Sequence, residues 1–156
     1  MLMRWWLIEK VEKGEKDTTR RKHPSVYRPG RKYVLTNGGR WLSAARRRQL
    51  EREGKLRRVE VLVLSVRTEP LGAITEEEAA KEGFAPIKSG GKVWLSAREQ
   101  FFAVWATLYG LPIDPKQLVD VIKFVPTSGP GAGVKEGALE LSIKRQKQKE
   151  KEVVEA

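Results

Sequence analysis

The run from Val59 to Val66 constrains the fold more than any other part of the chain. It is dense in β-branched residues and reads as the strongest strand, although apolar and polar residues alternate poorly along it. The elements around it are short and irregularly interleaved. Residues 4–13 read as a helix stopped by Gly14, Thr18 to Lys22 as extended chain, and Tyr27-Arg28-Pro29-Gly30 as a turn. Lys32 to Thr36 reads as a strand closed by Asn37-Gly38-Gly39. Ser43 caps a predicted surface helix that runs to about Glu53 and stops at Gly54. Thr75-Glu76-Glu77-Glu78 is a capping box opening a helix to Glu82, with Gly83 as its stop. Ser96-Ala97-Arg98-Glu99 opens another, whose Phe101, Phe102, Val104, Trp105 and Leu108 share one face suited to core packing. Gln117 to Val125 is the last predicted strand. Strand and helix do not alternate regularly enough for a doubly wound sheet. The expectation is a small α+β protein built on a curved sheet or open barrel.

With 156 residues, the chain suits one domain with a single substantial core. Residues 128–137 are Gly-rich and unpatterned, and residues 138–156 are rich in Lys, Glu and Gln without an aromatic. These read as a linker and a charged tail, mobile or a lone helix, outside the core. The domain proper is then residues 1–127.

Charge is uneven along the chain. The formal net charge is +11, yet residues 1–67 alone carry 19 basic and 7 acidic residues, while residues 68–127 carry 6 and 8. A general solubility device would be spread more evenly, so the asymmetry points to a face for a polyanion. The basic residues cluster as Arg20, Arg21 and Lys22; Arg28, Arg31 and Lys32; Arg46, Arg47 and Arg48; and Arg57 and Arg58. Tyr27, Tyr33 and Trp41 lie between them. Arginines neutralise phosphates and exposed aromatic rings stack on unpaired bases, although each aromatic taken singly reads as packing.

Several chemistries are excluded. There is no cysteine, hence no disulfide, thiolate catalysis or iron–sulfur cluster, and His23 is the only histidine. No cofactor and no metal site is expected. Gly90-Gly91-Lys92 lacks the Walker spacing and reads as a hairpin or loop tip. Glu76, Glu77 and Glu78 suit a helix N-terminus. No apolar run is long enough for a membrane span, and the expected location is cytoplasmic. The Glu, Lys and Arg richness points weakly to a thermophile.

The segment Gly14-Glu15-Lys16-Asp17-Thr18-Thr19-Arg20-Arg21 stands out. On an extended strand Thr19 and Arg21 point the same way, and Lys16 can approach from the turn. The candidate cluster is a hydroxyl, an amine and a guanidinium; a solvated basic loop is the alternative.

These residues also resemble a known family. Gly14-x-Lys16-x-x-Thr19-x-Arg21 is similar to the signature of ASCH domains in the PUA-like superfamily. Tyr27 to Leu35 is similar to the turn and strand that follow it there, with Arg31 where the family often has an acidic residue. Ile74 to Phe84 is similar to the family's later helix. The resemblance covers about residues 1–127. It implies a PUA-like curved mixed β-barrel with flanking helices and a cleft beside the signature. It implies RNA binding, or metal-independent amidohydrolysis of N4-acetylcytidine using Lys16, Thr19 and Glu82, or ribonuclease action on single-stranded RNA. On this expectation Lys16, Thr19, Arg21 and Glu82 line the cleft, and Arg21 holds a phosphate or an oxyanion. Arg20, Lys22, Arg28, Arg31, Arg46, Arg47 and Arg48 hold the nucleic-acid backbone. The Arg-rich stretch from Ser43 to Arg58 covers or extends the cleft. A +12 face gives little to a free-nucleoside hydrolase and much to a binder of polynucleotides. RNA is therefore the expected partner, with single-stranded DNA or a modified nucleoside as alternatives. The expected state is a monomer or weak homodimer.

Overall fold

The computed structural model describes residues 3–38 and 42–129, together with Ala132 and Gln148. Trp41 and nearly all of the predicted tail lie outside the described residues.

The elements, in chain order, are α1 (Trp5–Glu12), β1 (Thr18–Lys22), β2 (Lys32–Thr36), α2 (Ala44–Arg52), β3 (Arg58–Pro70), α3 (Glu76–Lys81), β4 (Ile87–Ser89), β5 (Lys92–Leu95), α4 (Ala97–Tyr109) and β6 (Leu118–Pro126), with a short 3-10 turn at Leu71–Ala73. Four strands form one sheet in the order β1-β6-β3-β2. Every pairing in it is antiparallel, so the curved sheet is not mixed. It curls into a half-barrel and leaves β1 and β2 as edges. The β4–β5 hairpin pairs only with itself.

The long strand β3 explains its own poor alternation. Val61 and Val63 pack on one face with Leu35, Ile122 and Phe124, while Leu62 and Leu64 pack with Val125 in a separate cluster. Both faces of the strand's middle are covered, so its apolar residues run continuously there. The register with β6 shifts between Val63 and Ser65. A bulge of this kind bends a strand and increases its twist, which helps the sheet curl.

Two cores divide the molecule. Helix α1 places Leu7, Ile8 and Val11 against the first face of β3, and Met3 joins them from the segment ahead of the helix. At the other end, Phe84 and Ala79 from the α3 region pack with Phe101 and Trp105 of α4 and with Val119. Trp6 packs against both. Both predicted capping boxes form, at Thr75 with Glu78 and at Ser96 with Glu99, and Ser43 caps α2 through the Arg46 amide. Leu50 is the buried residue of α2, as its thin apolar face requires. Tyr33 packs beside the first core, stacked edge-on with Tyr27.

One expectation for α4 changes. Phe101 and Trp105 are buried, but Leu108 is 57% exposed. The apolar face is longer than the core it covers, and its last turn borders a cavity.

Candidate functional site

Between the two cores lies a cavity of about 700 Å³. Trp6 and Leu7 of α1 form one side, and Phe84 with Phe101, Val104, Trp105, Leu108 and Tyr109 forms the other. Into this apolar room project Lys16, Thr19, Arg21 and Glu82, so the four residues expected to line a cleft line one cavity.

Local geometry delivers them. Gly14 has φ 78°, and past it the Lys16 amide turns back to the Lys10 carbonyl at 3.2 Å. That sharp turn ends α1 and carries the Lys16 side chain inward beneath the end of α3. There the Lys16 ammonium donates to the Glu82 carbonyl at 2.5 Å and to the Thr18 carbonyl at 2.6 Å, and lies 3.5 Å from the Glu82 carboxylate. A cation at a helix C-terminus is favoured by the carbonyls exposed there. Gly83 makes the approach possible. Its φ is +105°, and a Cβ at this position would come within 2.9 Å of Leu7 and 3.3 Å of Lys16.

Lys16 is 2% exposed. Burial pushes its ammonium down to about 8; the Glu82 carboxylate opposes this, and the Arg21 charge adds to it. The lowering therefore comes first from loss of water, and Arg21 is the cation that adds to it. Thr19 lies on the cavity wall, and Arg21, two residues on, lies there too, as strand alternation requires.

Arg20 has a different role from the one expected. Its side chain is fully buried, and its guanidinium meets Glu82, Glu69 and Glu78, each at 2.8 Å. Three carboxylates and the Phe101 ring surround it, so it is not presented to a phosphate. Glu82 in turn bridges Arg20 and Lys16. Sequence reasoning does not single out Glu69 and Glu78 as partners, because they lie far from Arg20 along the chain and have no local pattern that could mark them. Among the described residues no group of three acidic or histidine side chains is arranged to hold a metal ion; the Arg20 guanidinium occupies the place where three carboxylates meet.

The remaining basic residues divide by position. Arg46 lines the cavity with Leu42 and Leu50. Arg46 and Leu50 are four residues apart on α2, so this side of the helix faces inward, and Leu42 joins them from just ahead of the cap. Arg47 and Arg48 are exposed, and Arg48 lines a shallow surface depression with Ala45, Glu51 and Arg52. Consecutive residues on a helix point about 100° apart, so a run of three arginines cannot serve one cleft. Lys22 sits at the rim, its ammonium 4.3 Å from the centre of the Tyr109 ring. Arg28 is exposed and donates to the carbonyls of Ser25 and Tyr27, and Arg31 is exposed; neither lines the cavity. Arg4, which the clusters did not include, does line it.

His23 is paired through Nδ1 with Asp120 at 2.7 Å. The same carboxylate accepts from the Ser25 amide and the Thr68 hydroxyl. The donors together hold it down at about 2 against the cost of burial. This arrangement fastens the loop after β1 to the sheet. No described helix is long and apolar enough to cross a membrane.

No family model and no curated protein matches the chain. Two solved structures are similar to it. One is an ASCH domain from Lactobacillus crispatus JV V101, at 16% identity, covering 76% of this chain and 68% of that one with a TM-score of 0.43. The other is protein EF3133 from Enterococcus faecalis V583, of family DUF984, at 15% identity, covering 83% and 71% with a TM-score of 0.48.

Proposed function

We propose that the cavity binds RNA, taking an unpaired base between its aromatic walls and the adjoining phosphates on its arginines. The observation that carries this reading is the wall composition. Arg4 ahead of α1, Arg21 on β1 and Arg46 on α2 converge on a space whose lining combines aromatic rings, among them Trp6, Phe84 and Trp105, and aliphatic side chains with the polar Lys16, Thr19, Arg20, Asn37 and Glu82. The volume suits a single nucleotide unit. Bases offer a π-face to stack and phosphates offer charge to pair, and this wall supplies both partners. The test is equilibrium binding of an unstructured RNA across a salt series. Affinity should fall steeply and linearly in log salt, and Arg21→Gln should flatten the slope. Undetectable or salt-independent binding by the wild type overturns the reading.

A second reading rests on Lys16. A buried amine held near neutrality, in one cavity with the Thr19 hydroxyl and the Glu82 carboxylate, is a set able to hydrolyse an amide. In that chemistry the Thr19 oxygen attacks the acyl carbon of an N4-acetylated cytidine. Neutral Lys16 takes the hydroxyl proton and passes it through the Glu82 carboxylate to the cytidine nitrogen as the C–N bond breaks. Water then cleaves the acetyl-threonine ester, releasing acetate and restoring Thr19. Turnover should then rise with pH through about 8, as Lys16 loses its proton. It should vanish in Thr19→Ala and Lys16→Ala. Equal turnover in wild type and both variants removes the hydrolase reading and leaves the binding one standing.

A further inference from the structure

The β4–β5 hairpin stands apart from the cavity. It pairs with no other strand, and all three residues of β4 are exposed. Trp94 is 69% exposed, against 40% for Tyr109 at the cavity. Yet its indole N–H donates across the hairpin to the Ser89 carbonyl at 3.2 Å. The ring is thus anchored at one edge while its face meets solvent. A ring held this way has little orientational freedom left to lose when a flat partner stacks on it.

The hairpin itself carries one sign of charge. From Ile87 to Leu95 there are Lys88 and Lys92 and no acidic residue, while Glu76 and Glu99 lie just past it, on the amides at the start of α4. Lys92 is two residues before Trp94 and pairs with Ser89, so it shares the ring's face; Lys88, paired with Val93, lies on the other. The tip is Ser89-Gly90-Gly91-Lys92, with both glycines at positive φ. Ile87, Val93 and Trp94, the hairpin's exposed large apolar residues, are set back from this tip. Ile87 follows Phe84 of the cavity wall by three residues, a reach of at most about 11 Å.

We infer that the hairpin is a second contact for a single-stranded nucleic acid, with Trp94 stacking one base and Lys92, on the same face, neutralising a neighbouring phosphate. This extends the RNA-binding reading and rests on it for the identity of the polyanion. It makes the ligand a chain of several nucleotides, and gives a site on which a mononucleotide in the cavity makes no demand.

The experiment is fluorescence anisotropy with a labelled, unstructured 12-nucleotide RNA, run beside binding of cytidine monophosphate. The proteins are the wild type, W94A, W94F, K92Q, K88Q as the opposite-face control, and R21Q as the cavity control. W94A should weaken the 12-mer about tenfold and W94F less, because stacking tolerates a smaller ring. Cytidine monophosphate binding should not change in either. K92Q should reduce the salt slope by about 0.7, the share of one phosphate, and K88Q should leave it unchanged. Because Trp94 is exposed, each hairpin variant should melt with the wild type. A 12-mer bound equally by W94A and wild type overturns the hairpin contact while leaving the cavity reading intact. No RNA bound by the wild type overturns both. Trp94-dependent binding to phosphatidylcholine–phosphatidylserine vesicles, without a Trp94 effect on RNA, assigns the hairpin to a membrane surface and overturns the inference.

Discussion

Arg20 and Arg46 carry the same group into opposite surroundings. Arg20 is part of the cavity wall but has no exposed side-chain area, its charge met by Glu69, Glu78 and Glu82. Arg46 lies on a surface helix, with Gln49 as its neighbour and the cavity in front of it. By sequence they are equal members of basic clusters. By position, the first holds the site together and the second is available to a ligand. A charge enclosed by carboxylates has no field left to attract a phosphate, whereas one at a solvent-facing wall keeps it.

The sharpest way to break this contrast is to remove the carboxylate that both buried cations share. Glu82→Ala leaves Lys16 and Arg20 short of a partner in the interior. Loss of one member of a buried ion pair typically costs about 3–5 kcal/mol, which denaturant unfolding would read directly. A cost under about 1 kcal/mol would mean that water reaches the network and that Arg20 is less enclosed than its partners imply.

The next test uses pH. Lys16 titrates at about 8 in the folded protein against 10.5 for the free side chain. Between those values the unfolded chain binds more protons, so stability from this group rises as pH increases through the window. Below about 8 the full cost of burying the ammonium applies. The gain across the window is about 3 kcal/mol. Comparing unfolding of wild type and Lys16→Met from about pH 7 to 10.5 isolates it, because the variant should lack this rise. Parallel curves would show that Lys16 keeps its ordinary affinity for a proton.

The smallest effect on stability belongs to α2. Arg46→Ala should change unfolding by no more than about 0.5 kcal/mol, yet reduce the salt slope of RNA binding by about 0.7. Arg48→Ala, on another side of the helix, should leave that slope unchanged. Equal effects of the two would dissolve the distinction between the inward stripe and the outward one.

Much of this molecule is legible without coordinates. The glycine stops, the two capping boxes and the β-branched run are local signals, and each element they mark is present because its cause lies within a few residues. Lys16, Thr19 and Arg21 are legible as a group for the same reason, since a turn followed by strand alternation brings them together. Glu82 joins them through the resemblance, its helix end being 66 residues away. The expected curved sheet with flanking helices is there; its purely antiparallel pairing depends on which strands meet, and local pattern does not specify that.

What tertiary structure alone decided is which charges face water. The chain itself determined that one half carries the basic excess, where the turns fall and which short segment could assemble a hydroxyl with two cations. It could not determine that Arg20 turns away from solvent, that Arg46 faces inward while Arg47 and Arg48 do not line the cavity, or that Arg4 joins Arg46 there. Composition and spacing count a charge wherever it lies. The free energy of that charge depends on its distance from water and from partners distant in sequence, and only the folded arrangement sets both.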